Sequence, residues 1–361
     1  MKILVISLAG IGDTLLATPL LRVLRDQCPN ATIDVLARWP GSRDLLVGNP
    51  HINRVHQQNL VNAGMLANLK FLGSLRRERY DVSINTHPQG RREYRIIARL
   101  IGARLRLSHR YENWSGADRW LINRSVEQDY GIHCVDNSLR LLPLMGLHEP
   151  KEPVDCELYF SPEEQKWAKQ FVESRAVASS TLLGIQVGSG KTKNLMLKRW
   201  PLENYISVMR SVLAEYSGVT LLLFGGPEEK EDNERILSEI RDPRLVKVES
   251  RTMKEAAALL GRCKVFLSVD NVFMHLAAAV KVREQILIES PTFNKTIEPY
   301  HRPFRLVRNP MVAGRNLEYY RYDGRDIQGG TEHLLACMRS VTREAVLEKI
   351  GEAMERVMRD A

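Results

Sequence analysis

Apolar residues in the first half of the chain come in short clusters of strand length separated by stretches with helical spacing. The clusters are Lys2–Leu8, Ile33–Ala37, Val55–Gln57 and Val82–Asn85, each holding valine or isoleucine. Such clusters predict strands buried on both faces of a parallel sheet. After the first cluster, Leu15, Leu16, Leu20, Leu21 and Leu24 recur at helical spacing, and Glu93–Ile101 predicts a further helix. A charged helix at Pro162–Arg175 and a small-residue linker at Ala176–Thr181 close this half. A second alternating series follows: strands at Leu182–Val187, Val219–Phe224, Val246–Val248, Val265–Val269 and Gln285–Ile288, with helices at Glu229–Ile240, Met253–Leu260 and Val272–Val280. Alternation of this kind means α/β structure with helices on both faces of each sheet. The expected architecture is two Rossmann-like, doubly wound domains facing a central cleft, residues 1–170 and 181–340. An amphipathic terminal helix (residues 341–361, helical over Thr342–Arg359) is expected to pack across both.

A chain of 361 residues accommodates two such domains. The five cysteines, Cys28, Cys134, Cys156, Cys263 and Cys337, are widely spaced with no C-x-x-C, which argues for a reducing, cytoplasmic setting and against a zinc knuckle. No stretch approaches the roughly 18 apolar residues of a membrane span. The net charge of +9 points to a polyanionic partner. Nine arginines fall between Arg91 and Arg124, against Glu93, Glu112 and Asp118. Tyr94, Tyr111, Trp114 and Trp120 are interleaved, and Arg76, Arg77 and Arg79 lie upstream. A phosphorylated substrate or an anionic lipid suits this stretch. No nucleic-acid-binding signature accompanies it, so nucleic acid is not expected.

The glycine turns that end the strands carry the candidate chemistry. Gly10-Ile11-Gly12-Asp13 follows the first strand and opens the first helix, at the carboxyl edge where open α/β sheets bind ligands. It lacks the third glycine of a dinucleotide fingerprint, and its carboxylate would repel a pyrophosphate. Asp13 suits a proton acceptor; the plain alternative is a helix cap. Gly188-Ser189-Gly190-Lys191-Thr192 is out of register for a P-loop, yet its amides and Lys191, Lys193, Lys198 and Arg199 could hold phosphates. Phe224-Gly225-Gly226-Pro227 leads into Glu228 and Glu229, either helix-opening charges or carboxylates for a ribose or base. Ser268–Ala279 ends a strand at Asp270 and opens a helix bearing His275, and the amides of Asn271, Val272 and Phe273 offer an anion site.

Taken in order, five of these pieces resemble glycosyltransferase family 9, the lipopolysaccharide heptosyltransferases. They are Gly10-Ile-Gly-Asp-Thr-Leu-Leu-Ala-Thr-Pro19, Lys198-Arg-Trp-Pro201, Phe224-Gly-Gly226, Asp270-x-x-x-Met-His-Leu-Ala-Ala-Ala279 and Pro291-Thr292. The resemblance implies a GT-B fold and an inverting, metal-independent transferase without a cofactor. It implies an ADP-heptose donor bound mainly by the C-terminal domain and a phosphorylated, lipid-linked core saccharide as acceptor for the N-terminal one. Asp13 then matches the general base and Lys198 the lysine at the donor phosphates. Gly188, Ser189, Gly190, Glu229 (or Glu228), Asp270, Asn271, Val272 and His275 fall to the donor. Gly12, Thr14, Arg91, Arg92 and Arg95 fall to the acceptor, with the arginine stretch on acceptor phosphates or the anionic inner leaflet. The chain contains no D-x-D, in keeping with a metal-free site. It departs from the family pattern at Asn271-Val272, where Ser or Thr and then Gly are usual, and at Lys281 and Arg283, which replace Gly and Pro. The Gly188–Lys198 loop is also long. Another donor sugar or acceptor, a nucleotide-sugar epimerase or hydrolase, and a glycan-binding protein without catalysis are the alternative readings.

Overall fold

A computed structural model describes residues 1–60, 62–175, 180–190, 192–321 and 324–359. The chain divides into two compact units. The first comprises Met1–Tyr159 with Lys295–Tyr300 and Gly324; the second comprises Phe160–Asn294, His301–Arg321 and the chain from Arg325 onward.

The first unit holds strands β1 (Lys2–Ser7), β2 (Thr32–Ala37), β3 (Arg54–Gln57), β4 (Val82–Asn85), β5 (Leu105–Arg110) and β6 (Arg124–Glu127). The second holds β7 (Thr181–Gln186), β8 (Val219–Phe224), β9 (Leu245–Lys247), β10 (Val265–Ser268), β11 (Glu284–Ile288) and β12 (Arg305–Val307). All pairings are parallel, as in Ile3 opposite Ile33 and Val82, and Leu267 opposite Ile286 and Ile185. The orders are β3-β2-β1-β4-β5-β6 and β12-β11-β10-β7-β8-β9. Both are the doubly wound 3-2-1-4-5-6 arrangement, the second in reverse. The winding reverses between β1 and β4 in one sheet and between β7 and β10 in the other. The carboxyl ends of those four strands therefore frame the two crevices where ligands enter such sheets.

Strand burial explains the apolar clusters: β8 is buried at every position and β1 at all but Lys2. Gly184, inside β7, is placed by packing. A Cβ on Gly184 would come within 2.9 Å of Phe224 and 3.0 Å of Phe266. The Pro162–Ser174 helix, expected in the first half, belongs to the second unit, capped by Ser161 and paired through Glu164 with Lys254 at 3.1 Å. The terminal helix Arg343–Arg359 buries Val346, Ile350, Ala353, Met354 and Val357. Where the pattern suggested a brace across both halves, this stripe joins the core of the second unit. The expected linker lies, at residues 176–179, outside the described residues. Three strands escaped the apolar pattern. β5 reads Leu-Arg-Leu-Ser-His-Arg within the basic stretch, while β6 and β12 are short sheet-edge strands.

Candidate functional site

In the first unit the turn after β1 is clamped at nearly every backbone group. The Leu8 N–H donates to Oε1 of Gln89 at 3.1 Å, and the Ala9 carbonyl accepts the Trp39 indole N–H at 2.7 Å. The Gly10 N–H donates to Oδ2 of Asp13 at 2.6 Å. Asp13 is thus not the cap of the helix Ile11–Leu16. It stands one turn in, at the third helical position, and reaches back to the cap residue Gly10. It is half-buried and sits beside the amino end of that helix, where the dipole favours a negative charge. Its field also adds to burial in pushing the Cys134 thiol up. Gln89 ties this turn to the end of β4, because its amide N–H group donates to the Ile6 carbonyl at 2.5 Å and the Thr86 carbonyl at 3.0 Å.

Behind Gln89 lies a buried group that sequence reasoning missed. The Tyr111 hydroxyl accepts the Gln89 N–H at 2.8 Å and bonds Nδ1 of His87 at 3.0 Å; Nε2 of His109 bonds the Asn137 carbonyl at 2.7 Å. Burial lowers both imidazole pKa values, His109 to about 4 and His87 well below its ordinary value, so both rings are neutral near pH 7. Nothing in the local pattern marks these residues, since their roles come from β4 and β5 lying side by side.

The acceptor residues expected from the sequence separate into two groups. Gly12 lies partly exposed in the helix beside Asp13, Arg91 is partly buried with its guanidinium on the Gly324 carbonyl at 3.0 Å, and Arg92 is exposed. Thr14 faces inward instead: its hydroxyl accepts from Ser7 at 3.1 Å and pairs with Ser42 at 2.9 Å. Arg95 is the clearest correction. It is fully buried, bonds Oδ1 of Asp118 at 3.0 Å and Asn113 at 3.2 Å, and stacks by Trp114. Burial pushes the Asp118 carboxyl up, but the Ser115 amide and hydroxyl and the Arg95 guanidinium outweigh it and hold it below the usual range. Arg95 is engaged within the fold of the arginine-rich stretch and presents no exposed surface.

In the second unit, Asp270 is the focus. It is 3% exposed and follows β10. Its carboxylate accepts from Lys198 Nζ at 2.9 Å, from Thr292 Oγ1 at 2.5 Å and from the Ser290 hydroxyl. Lys198 also donates to the Asp270 carbonyl at 2.5 Å, so two of its three N–H groups are committed to one residue. Lys198 sits on the 3₁₀ turn Leu195–Lys198 and is itself buried. The long loop before it is fastened by Asn194, whose side chain exchanges two hydrogen bonds with the Ile327 backbone, and by Lys193 on the Arg325 carbonyl at 2.8 Å. Lys191 lies outside the described residues.

Asn271 caps the helix Val272–Ala279, accepting from Phe273 N–H at 2.8 Å and Met274 N–H at 3.3 Å. The amide of Phe273, expected to await an anion, is thereby already bonded within the chain. The Asn271 amide N–H group donates to Gln186 Oε1 at 2.6 Å and the Gly188 carbonyl at 3.1 Å, which joins the ends of β10 and β7 across the reversal in winding. Val272 takes its place in the first turn without left-handed backbone. The backbone cost of the departures falls on Lys281, whose φ is +60°. Left-handed backbone costs a non-glycine residue about 1–2 kcal/mol.

Of the two candidate acids after β8, Glu228 is exposed and Glu229 buried. Glu229 accepts the Gly226 N–H at 2.9 Å and pairs with Arg199 at 3.3 Å. Arg199 also donates to the Ser189 carbonyl at 2.7 Å and pairs with Asp232 at 2.9 Å. Burial raises the Glu229 pKa against the opposing pull of the Gly226 amide and Arg199. A Cβ on Gly188 would lie 2.1 Å from Oε1 of Glu229, so any side chain there would displace that carboxylate. Ser189 is buried with its hydroxyl on the Leu195 carbonyl, Gly190 is exposed, and His275 is buried in the helix after Asp270. Among the described residues, no group of three His, Cys, Asp or Glu side chains is placed to hold a metal ion.

Two doubly wound units, each with polar residues gathered at the reversal of its winding, are the arrangement of the GT-B fold. The family model of glycosyltransferase family 9 (heptosyltransferase) matches residues 68–320, and the chain belongs to that family. It is 24% identical to lipooligosaccharide heptosyltransferase 2 of Haemophilus influenzae, over 98% of this chain and 99% of that one. It is 26% identical to lipopolysaccharide heptosyltransferase 2 of Salmonella typhimurium, over 97% of each. Its fold matches a family 9 glycosyltransferase from Veillonella parvula with a TM-score of 0.75 at 19% identity, over 98% of this chain and 97% of that one. The E. coli ADP-heptose lipopolysaccharide heptosyltransferase II matches with a TM-score of 0.71 at 22% identity, over all of both chains.

Two predictions follow from burial in the first unit. Replacing Arg95 by Ala leaves the buried Asp118 carboxylate to Ser115 and to Arg92 at 3.6 Å and lowers stability by about 3 kcal/mol in urea unfolding; a folded variant with only a raised acceptor KM would return Arg95 to the binding surface. His87 and His109 take up protons more readily unfolded than folded. Stability therefore falls as pH drops from about 6.5 toward about 4, and His109→Gln flattens that limb; an unchanged limb in the variant would remove His109 as its source.

Proposed function

We propose that the protein transfers a heptose from ADP-heptose to a phosphorylated, lipid-linked inner-core saccharide of lipopolysaccharide, by inversion and without a metal. The observation that carries the reading is the placement of Asp13. It stands in a clamped turn at the carboxyl end of β1, at the reversal of winding, in a chain of the heptosyltransferase family. The Gly10 N–H fixes one carboxylate oxygen, and the carboxylate takes the proton of the acceptor hydroxyl as the hydroxyl oxygen attacks the anomeric carbon and the bond from that carbon to the ADP phosphate breaks. The departing ADP carries the negative charge.

Lys198 and the Gly188–Gly190 turn then stabilise the diphosphate, with Asp270 holding Lys198 in place. Charge stabilisation aimed at a leaving group is among the largest contributions an enzyme makes, and it needs donors that do not move during the reaction. The Ser290 and Thr292 hydroxyls supply that fixity through Asp270. Glu229 accepts from the nucleoside ribose, with Asn271, Val272 and His275 along the sugar and phosphates. The acceptor meets Gly12, Arg91 and Arg92 in the first unit, and the enzyme acts at the cytoplasmic side. No described helix is long and apolar enough to cross a membrane. A different nucleotide sugar is the second reading, favoured by Asn271-Val272 and Lys281 standing where the family has other residues.

Incubating the purified protein with ADP-heptose, UDP-glucose or UDP-N-acetylglucosamine and heptose-deficient lipopolysaccharide separates these readings. Product is expected with ADP-heptose alone. Product with a uridine nucleotide sugar only would replace the donor and keep the transferase. In the same assay Asp13→Asn keeps donor affinity and loses about 10²-fold or more in kcat; near-normal kcat would remove Asp13 as the base.

A further inference from the structure

Three helices of the first unit, Met65–Arg77, Arg92–Ile101 and Asp118–Leu121, pack on one face of its sheet. Leu72 and Leu75 from the first, and Ala98 and Ile101 from the second, share a core with Leu4, Ile6 and Leu8; Leu121 of the third packs against it. The Arg76 guanidinium fastens the first helix to the second by donating to the Leu100 carbonyl at 3.1 Å. Helices in one layer turn their outer sides to a common surface.

That surface has the wrong composition for contact with water alone. Ten large apolar side chains are exposed among the described residues, and six of them lie on these three short helices. They are Met65 (75% exposed), Leu66 (81%) and Leu69 on the first helix, Ile96 and Leu100 on the second, and Trp120 (78%) on the third. On the second helix Ile96 and Leu100 are four residues apart and so form one stripe, with Arg92 one turn before them. The exposed charges on these helices are Lys70, Arg76, Arg77, Arg92, Arg99 and Arg119 against Glu93 alone. Contiguous exposed apolar patches mark interaction sites. Aliphatic tips and a tryptophan ringed by arginines match the boundary between acyl chains and anionic headgroups. A nucleic-acid surface would need the cations without six large apolar side chains between them.

We propose that this three-helix face docks the enzyme onto an anionic bilayer. Met65, Leu66, Leu69, Ile96, Leu100 and Trp120 enter the headgroup–acyl boundary, and Lys70, Arg77, Arg99 and Arg119 lie over lipid phosphates. The proposal names the surface by which the first unit meets a lipid-linked acceptor. It does not depend on which sugar is transferred.

The test is co-sedimentation of the full chain with vesicles of phosphatidylcholine, alone or mixed with phosphatidylglycerol. Binding to the mixed vesicles is expected, and it weakens as NaCl is raised. Leu66→Ser/Leu69→Ser/Trp120→Ser loses about tenfold or more in vesicle affinity. Arg77→Gln/Arg99→Gln/Arg119→Gln loses about 10²-fold on the anionic vesicles and little on phosphatidylcholine. All six positions are exposed, so both variants keep the wild-type melting temperature and the wild-type kcat on a delipidated, soluble acceptor. Absence of vesicle binding by the wild type, or equal binding by both variants, overturns the proposal. So does a wild-type dimer in sedimentation velocity that the apolar variant dissociates without any effect on vesicles. Binding of a single-stranded RNA oligonucleotide in place of vesicles, lost in the arginine variant, overturns it as well.

Discussion

A carboxylate buried at 3% exposure cannot remain charged without donors around it, and Asp270 dictates much of what its unit does with polar groups. Lys198, Ser290 and Thr292 converge on it from three separate segments. Removing one partner of a buried ion pair typically costs about 3–5 kcal/mol, because the other is left uncompensated. The 3₁₀ turn bearing Lys198, the end of β10 and the segment after β11 are therefore tied to one another. Asn271 extends the tie to β7 through Gln186 and Gly188. Gly188 is packed in turn against the Glu229 side chain, which a larger residue there would displace. The donor half of the proposed reaction is rigid for reasons readable in its hydrogen bonds.

In the first unit the turn after β1 is held by a smaller set of side chains. Gln89, Trp39 and the Asp13 carboxylate itself fasten the turn after β1, and two uncharged histidines with Tyr111 hold Gln89 from behind. Of the arginines that dominate the sequence of this unit, Arg95 is sealed into the core by Asp118, Arg91 is partly buried on the Gly324 carbonyl, and Arg92, Arg99 and Arg119 are exposed.

What the sequence made legible follows the range of the interactions. Strands such as Val219–Phe224 and the helix Met253–Leu260 fall where their patterns put them, because burial on both faces, or on one stripe, is written into consecutive residues. β5 was hidden because its arginines alternate with leucines in a stretch that otherwise reads as a basic surface. Asp13 could be singled out since an acid inside a glycine turn is wrong for phosphate. Its bond to Gly10, unlike a cap's, needed the helix start to be placed within one residue. Arg95 was misassigned because its partner Asp118 lies 23 residues on, and nothing local distinguishes it from Arg92. Ser290 and the two histidines were invisible for the same reason. Val272 has no left-handed backbone, and the positive φ among the departures is at Lys281.

Asp13 acting as the base requires a single displacement at the anomeric carbon, with one carboxylate removing the acceptor proton and no sugar held covalently by the enzyme. The most direct test is the anomeric configuration of the transferred sugar, read by NMR coupling constants on product isolated from a reaction with a donor of known configuration. Inversion relative to the donor is the predicted result. Retention would require a second displacement or a front-side attack, and would contradict the assignment of Asp13 as the base.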